Sequence, residues 1–278
     1  MPELPEVRAH AERLGVGFTG AVLAGFRPIS FTALKTFDPP ADAAVGQALQ
    51  GFSTRGKLLR MQFETVNFVI HLMQGGRLRP DEKQSAKPRG GLARWTFDDG
   101  RALLLTEAGT EHRAGVWVEA TDGPEAEIVA ALGPDADTVT IEQLTEALGA
   151  KSMRVHGFLR SQSGIAGLGR RCANEVLHRA KLGPFTTTGK LTSDDIAALH
   201  RAIGEVTDES LAFERGNDEM VASKDRPGEV HNRTGEDCPV CGDVIREVAY
   251  NRYTVNYCAT CQTDGKVLAD NTTSKFLK

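Results

Sequence analysis

The spacing of hydrophobic and polar positions changes once along this chain. Up to about residue 130 the apolar residues come in short runs, at 21–26, 58–63, 68–72, 92–97, 102–106 and 115–119, bounded by Gly, Asp-Gly or Pro-bearing turns. That is the pattern of strands. Asp99-Gly100, between two of the runs, predicts a hairpin. Residues 6–14 are the exception, because Val7, Ala11 and Leu14 fall on one helical face. Short strands at this spacing predict a sandwich or barrel. We expect an N-terminal β-sandwich with an N-terminal helix over residues 1–130. Residues 80–91 are polar and Gly/Pro-bearing and predict a loop.

Residues 131–139 contain Gly133-Pro134 and predict a linker. The pattern then turns helical. Thr140 with Gln143 predicts a capping box and a helix through Leu148. Helical periodicity returns at 151–162, 170–181 and 192–213, with Ser193 before two aspartates as a helix start. Residues 214–236 are polar, contain Gly216, Pro227 and Gly228, and predict a mobile loop. The expected organisation is α+β and multidomain: a sandwich, a helical domain over 140–230, and a small C-terminal piece over 231–278.

Composition adds bounds. At 278 residues, 40% hydrophobic and 25% charged, the chain suits two or three ordinary globular domains. It has no apolar run of membrane-spanning length and no secretory-type start, so a cytoplasmic location is the expectation. A monomer is the default. The net charge of −4 argues weakly against a nucleic-acid partner. Its placement argues the other way: residues 151–190 carry eight Lys or Arg and one acid, Glu175, whereas 114–150 carry eight acids and no Lys or Arg. A basic block beside acidic stretches fits a local polyanion site. A solvated basic helix face has the same composition.

Four of the five cysteines, Cys238, Cys241, Cys258 and Cys261, are spaced C-x2-C-x16-C-x2-C. Each pair puts two thiolates on one turn, and two such turns complete a tetrahedral shell for one structural zinc with no position left for water. A redox dithiol would need one pair rather than two. Cys172, alone on a predicted helix, reads as a small buried hydrophobe.

Further chemistry is scattered. Between Ser161 and Glu175, Gly164, Gly167 and Gly169 lead into Arg170 and Arg171, an arrangement that can bring backbone N–H groups and charge to a phosphate. A close helix–helix turn would use the same glycines. Arg246, Arg252, Tyr250, Tyr253 and Tyr257 lie between the two cysteine pairs, where an Arg on a ribbon could clamp a phosphate; the tyrosines read as packing. Lys57 at a strand start and His71 before a turn read, in isolation, as a solvated lysine and a hydrogen-bonded histidine. Finally, the chain begins MPELPEV. Met before a small residue is expected to be removed, leaving Pro2 with a free secondary amine, whose pKa near ~7.7–8.0 leaves a nucleophilic fraction at cellular pH. Glu3 stands next to it as a proton carrier.

In this order, the MPELPEV start, Lys57, His71, the glycine segment up to Glu175, Arg252 six residues before Cys258, and the four cysteines resemble the formamidopyrimidine-DNA glycosylase and endonuclease VIII family. The resemblance covers nearly the whole chain. It implies a helix–two-turns–helix domain, a zinc ribbon, and damaged DNA as the partner, duplex or single-stranded, within the nucleoid. It implies that Pro2 attacks C1′ of a flipped nucleotide, that Glu3 shuttles protons, and that Lys57 and Arg252 bind the flanking phosphates during β,δ-elimination. Glu6 and Glu175 match acids that order the pocket. His71, Lys151 and Arg170 match DNA-contacting or site-shaping positions.

The departures concern the filling of the duplex. HLMQGG stands where HLGMSG is common, so Gln74 takes the position of a void-filling Met. The loop comparable to PRRFG reads TEAGTEHRAG, with Ala114 after Arg113. Arg170 stands where Asn is usual, Ser163 where Lys is common, and Arg8 where Glu is frequent. Weaker apolar wedging predicts that 8-oxoguanine opposite cytosine is not the favoured lesion. A damage-binding protein of the same fold, with lyase activity only or no catalysis, is the alternative. Intact-mass spectrometry is expected to show Pro2 as the first residue of the purified protein; full activity with Met1 retained would contradict the role given to its nitrogen.

Overall fold

The computed structural model describes residues 1–108, 113–250 and 253–269, and the chain divides into two compact units. The first comprises Met1–Ala131 with Glu214–Met220, and the second Leu132–Phe213 with Val221–Lys278.

In the first unit, helix α1 (Leu4–Phe18) precedes eight strands: β1 (Leu23–Pro28), β2 (Gly51–Arg55), β3 (Leu58–Gln62), β4 (Val66–His71), β5 (Gly76–Pro80), β6 (Gly91–Phe97), β7 (Ala102–Glu107) and β8 (Gly115–Ala120). A short helix, α2 (Glu127–Ala130), closes the unit. The strands form two antiparallel sheets, ordered β1-β6-β7-β5 and β2-β3-β4-β8. Phe26 and Trp95 of the first sheet meet Phe68 of the second, with ring centroids 5.0 to 5.7 Å apart, so the sandwich core is built on aromatic contacts. Val7, Ala11 and Leu14 of α1 enter the same core, as the periodicity predicts. The helix begins earlier than expected because Pro5 sits in its first turn and Glu3 caps it. Strands β2 and β5 are absent from the sequence reading. GFSTR is polar and only half-buried, and GRLRP is brief and ends in proline, so neither carries an apolar run.

The second unit packs α3 (Ile141–Ala150), α4 (Val155–Arg160), α5 (Arg170–Arg179) and most of α6 (Ser193–Arg215) around Leu144, Phe158, Leu168, Val176, Leu199 and Ile203. The predicted capping box forms: the Gln143 N–H donates to Thr140 Oγ1 at 3.2 Å and the Thr140 N–H to Gln143 Oε1 at 3.0 Å. For α6 the cap is Thr192 rather than Ser193, through the equivalent exchange with Asp195. Residues 133–136, expected as a linker, instead pair with the glycine segment: the Gly133 N–H donates to the Gln162 carbonyl, the Ala166 N–H to Pro134, and the Ala136 N–H to Ala166. Strands β9 (Ile245–Tyr250) and β10 (Tyr253–Cys258) form a hairpin followed by α7 (Ala259–Gln262), and both β10 and α7 contact α5. The ribbon therefore belongs to the same compact unit as the helices. The α3 cap is local, so Thr140→Ala should cost about 1 kcal/mol of stability, read by denaturant unfolding, with no change in zinc content.

Candidate active site and metal centre

In the first unit, Pro2 is buried at the N-terminus of α1. Glu3 and Glu6, 4% and 0% exposed, cap the helix reciprocally. The Glu3 N–H donates to Glu6 Oε2 at 2.5 Å, and the Glu3 carboxylate takes the backbone N–H of Glu6. Orphan helix N–H groups and the positive end of the helix dipole offset the cost of burying these acids. One turn on, Arg8 Nε donates to Thr54 Oγ1 at 3.2 Å, fastening α1 to the end of β2. The β2–β3 turn uses Gly56 at φ 53° and then presents Lys57, 7% exposed.

Antiparallel pairing of Leu58 with His71 brings Lys57 next to that histidine. Burial, together with the Lys57 charge, pushes the His71 pKa down to about 4. Its Nδ1 accepts the Met73 N–H at 2.9 Å, so the neutral ring carries its proton on Nε2. The hydrogen-bonded histidine expected from sequence is thus present. Met73 adopts φ 51°, a region that favours glycine; its side chain packs against the sandwich core, and Gln74 is the exposed residue of the turn. Gly75 and Gly76 are required here. A Cβ on Gly75 would lie 2.7 Å from the Ala108 carbonyl, and one on Gly76 2.1 Å from that of Leu72. The Ala108 N–H donates back to Gly75, and the Glu107 carboxylate accepts the Ala114 N–H at 2.7 Å. These bonds tie Ala108 to the 71–76 turn and Ala114 to the end of β7; Arg113, next to Ala114, is exposed.

In the second unit, the glycine segment is held by Gln162, whose amide donates to the Arg160 and Leu168 carbonyls and accepts the Gly167 N–H. Gly169 caps α5, and Arg170 stands exposed at its first turn. Lys151 is exposed at the end of α3. The basic block is thinner in space than in sequence. Arg171 is buried, Arg154 stacks on Phe185 at 4.6 Å, and Arg179 is paired with Glu205, Glu209 and Glu229. The Glu175 carboxylate accepts the N–H groups of Glu229, Val230 and His231 at 2.7, 3.2 and 2.8 Å. Part of the predicted 214–236 loop is therefore a strap gripped by α5. Asn174 extends this grip through His156, His231 and Asn256. Arg246 is engaged by Asp243 at 2.8 Å, and Tyr257 is buried, as expected, with its hydroxyl accepting the Leu268 N–H. Arg252 lies outside the described residues.

The four cysteines converge, with ligand atoms within 4.8 Å of one another. The Cys238–Cys261 and Cys241–Cys258 sulfur distances are 3.8 and 3.4 Å. A tetrahedral zinc with Zn–S near ~2.3 Å needs sulfurs about 3.8 Å apart, so the donor set fits one structural zinc. Burial pushes the Cys258 thiol up, and a bound cation would favour its ionised form. Cys172 is buried in the helical core, as expected.

Two family models match the chain: the formamidopyrimidine-DNA glycosylase N-terminal domain over residues 1–110, and the H2TH domain of the same enzymes over residues 131–221. An uncharacterized formamidopyrimidine-DNA glycosylase-like protein of Mycobacterium tuberculosis is 41% identical over 150 residues, which is 53% of this chain and 95% of that protein. The chain belongs to the formamidopyrimidine-DNA glycosylase and endonuclease VIII family. The formamidopyrimidine-DNA glycosylase of Chloroflexus aurantiacus is 28% identical over 279 residues, covering 94% of this chain and 98% of that one. The fold matches the Lactococcus lactis enzyme solved with abasic-site DNA, at TM-score 0.81, 22% identity and coverage of 94% and 99%.

Within the family fold, sequence reasoning missed Glu107 and Gln162, which hold nearby backbone groups of their own loops, and Asn174 and His178, which act through partners distant in the chain. The pKa of His71 has a measurable consequence. It is depressed in the folded state, so its stabilising contribution is complete above the unfolded pKa of about 6.5 and is lost as pH falls toward 4. Between pH 7.5 and 5 the wild type should lose about 2 kcal/mol more than His71→Gln, measured by denaturant unfolding.

Proposed function

We propose that the protein is a base-excision-repair DNA glycosylase with an associated abasic-site lyase activity. The observation that carries this reading is the start of α1. Pro2 is buried there, the Glu3–Glu6 capping box fixes the backbone around it, and the helix is fastened to the strand that leads into buried Lys57. With Met1 removed, Pro2 is a secondary amine. Its lone pair attacks C1′ of a nucleotide flipped from the stack, and the glycosidic bond breaks with its electrons leaving on the protonated base. The Glu3 carboxylate takes the proton that the attacking nitrogen must lose and delivers it to O4′, so that cleavage of C1′–O4′ gives an iminium. The iminium acidifies C2′–H. Loss of that proton expels the 3′ phosphate by β-elimination, and a second elimination expels the 5′ phosphate. The Lys57 ammonium suits the phosphate charge during these steps; family resemblance gives Arg252 the same task.

Lesion choice follows from the 71–76 turn. It presents the amide of Gln74, while the apolar Met73 turns into the core. Arg113 is followed by small, buried Ala114. An amide and a small residue replace lost stacking less well than an apolar wedge. We therefore propose that 8-oxoguanine opposite cytosine is disfavoured relative to oxidised pyrimidines, ring-opened purines, abasic sites or single-stranded lesions, for which flipping costs less. The same feature favours a second reading, a damage-binding protein without excision.

Borohydride trapping on an abasic duplex separates the two. The wild type should give a covalent adduct and a nicked strand, and Glu3→Gln should slow nicking about 100-fold or more while retaining binding. No wild-type adduct would overturn the enzymatic reading in favour of damage binding.

A further inference from the structure

His178 has no part in the chemistry above, yet it is 2% exposed in the last turn of α5 with both ring nitrogens engaged. Nδ1 lies 2.9 Å from Glu229 Oε2, and Nε2 lies 3.3 Å from the sulfur of Cys238, the first residue of the zinc set. Glu229 is itself fixed from two sides: its other carboxylate oxygen receives Arg179 at 3.2 Å, and its N–H donates to Glu175. Glu175, His178 and Arg179 lie on one face of α5 and close on the same strap. Val230 of that strap is fully buried with Cys238, Ile245 and Cys258. The strap, the first knuckle and one helix face are thus a single hydrogen-bonded assembly, with His178 as the strut that reaches the metal ligand.

We propose that His178 is a positioning residue for the metal centre. It aims the Cys238 sulfur into the tetrahedral set and couples zinc retention to α5, the helix that begins at the glycine segment and carries Arg170 at its other end. Outer hydrogen bonds of this kind orient a ligand and change metal affinity, typically by 10- to 100-fold. A ring that only filled space would not need a carboxylate holding its far nitrogen.

The test measures zinc release from the full-length, zinc-loaded protein into an excess of a chromogenic chelator. His178→Phe keeps an aromatic ring and removes both hydrogen bonds; it should release zinc at least tenfold faster than wild type. His178→Gln keeps a donor for the sulfur and should stay within about threefold of wild type. Glu229→Gln leaves the ring and the sulfur in place and should fall between the two; it also serves as the readout if His178→Phe does not fold. Hydrogen exchange of the 229–231 amides, with zinc bound, should rise in the same order. Wild-type release from both His178→Phe and Glu229→Gln would overturn the proposal. So would release from His178→Gln as fast as from His178→Phe, because packing alone would then account for the residue.

Discussion

The reciprocal cap between Glu3 and Glu6 fixes the backbone around Pro2. Chain termini ordinarily fray, because nothing holds their backbone groups. Here two carboxylates, almost wholly buried, consume helix N–H groups that would otherwise be orphaned, and Pro5 commits the first turn to helical geometry. The terminus becomes part of the sandwich, not a tail on it.

The second unit depends on a different carboxylate. Glu175 takes three consecutive N–H groups from a segment that belongs to no helix or sheet. Without it, those groups would be buried donors without acceptors, costing about 1–3 kcal/mol each. The acid does for this strap what a ladder does for a strand. The ion pairs of Arg179 and the burial of Arg171 follow from the same packing. Hence the exposed positive charge of this unit is concentrated in fewer residues than the sequence count suggests, with Arg170 and Lys151 among them.

Features set by local chemistry were legible in the sequence. The Thr140–Gln143 box, the thiolate spacing and the apolar strands need only neighbours along the chain, and all appear where the pattern puts them. The failures share one cause. Strands β2 and β5 have few apolar residues and lie at sheet edges, where each exists because one long-range partner, β3 or β7, supplies its ladder. Residues 133–136 look like a linker because Gly-Pro breaks helices, yet their backbone pairs with a turn about thirty residues away, and backbone pairing leaves no mark on side-chain identity. The roles of Glu175 and His178 depend on residues some 50 to 60 positions downstream. A helical histidine cannot announce such a partner.

The turn at 71–76 has a consequence for descent. Met73 occupies a left-handed backbone position that costs a β-carbon-bearing residue on the order of 1–2 kcal/mol, and its side chain regains contact energy from the core. Relative to the HLGMSG pattern, three adjacent positions differ: Met73 stands for Gly, Gln74 for Met and Gly75 for Ser. The methionine of this chain is packed against the core, and the residue left pointing outward is an amide. A tip of different outward chemistry is thus three adjacent substitutions away, and one of them, at Gly75, must also make room beside the Ala108 carbonyl.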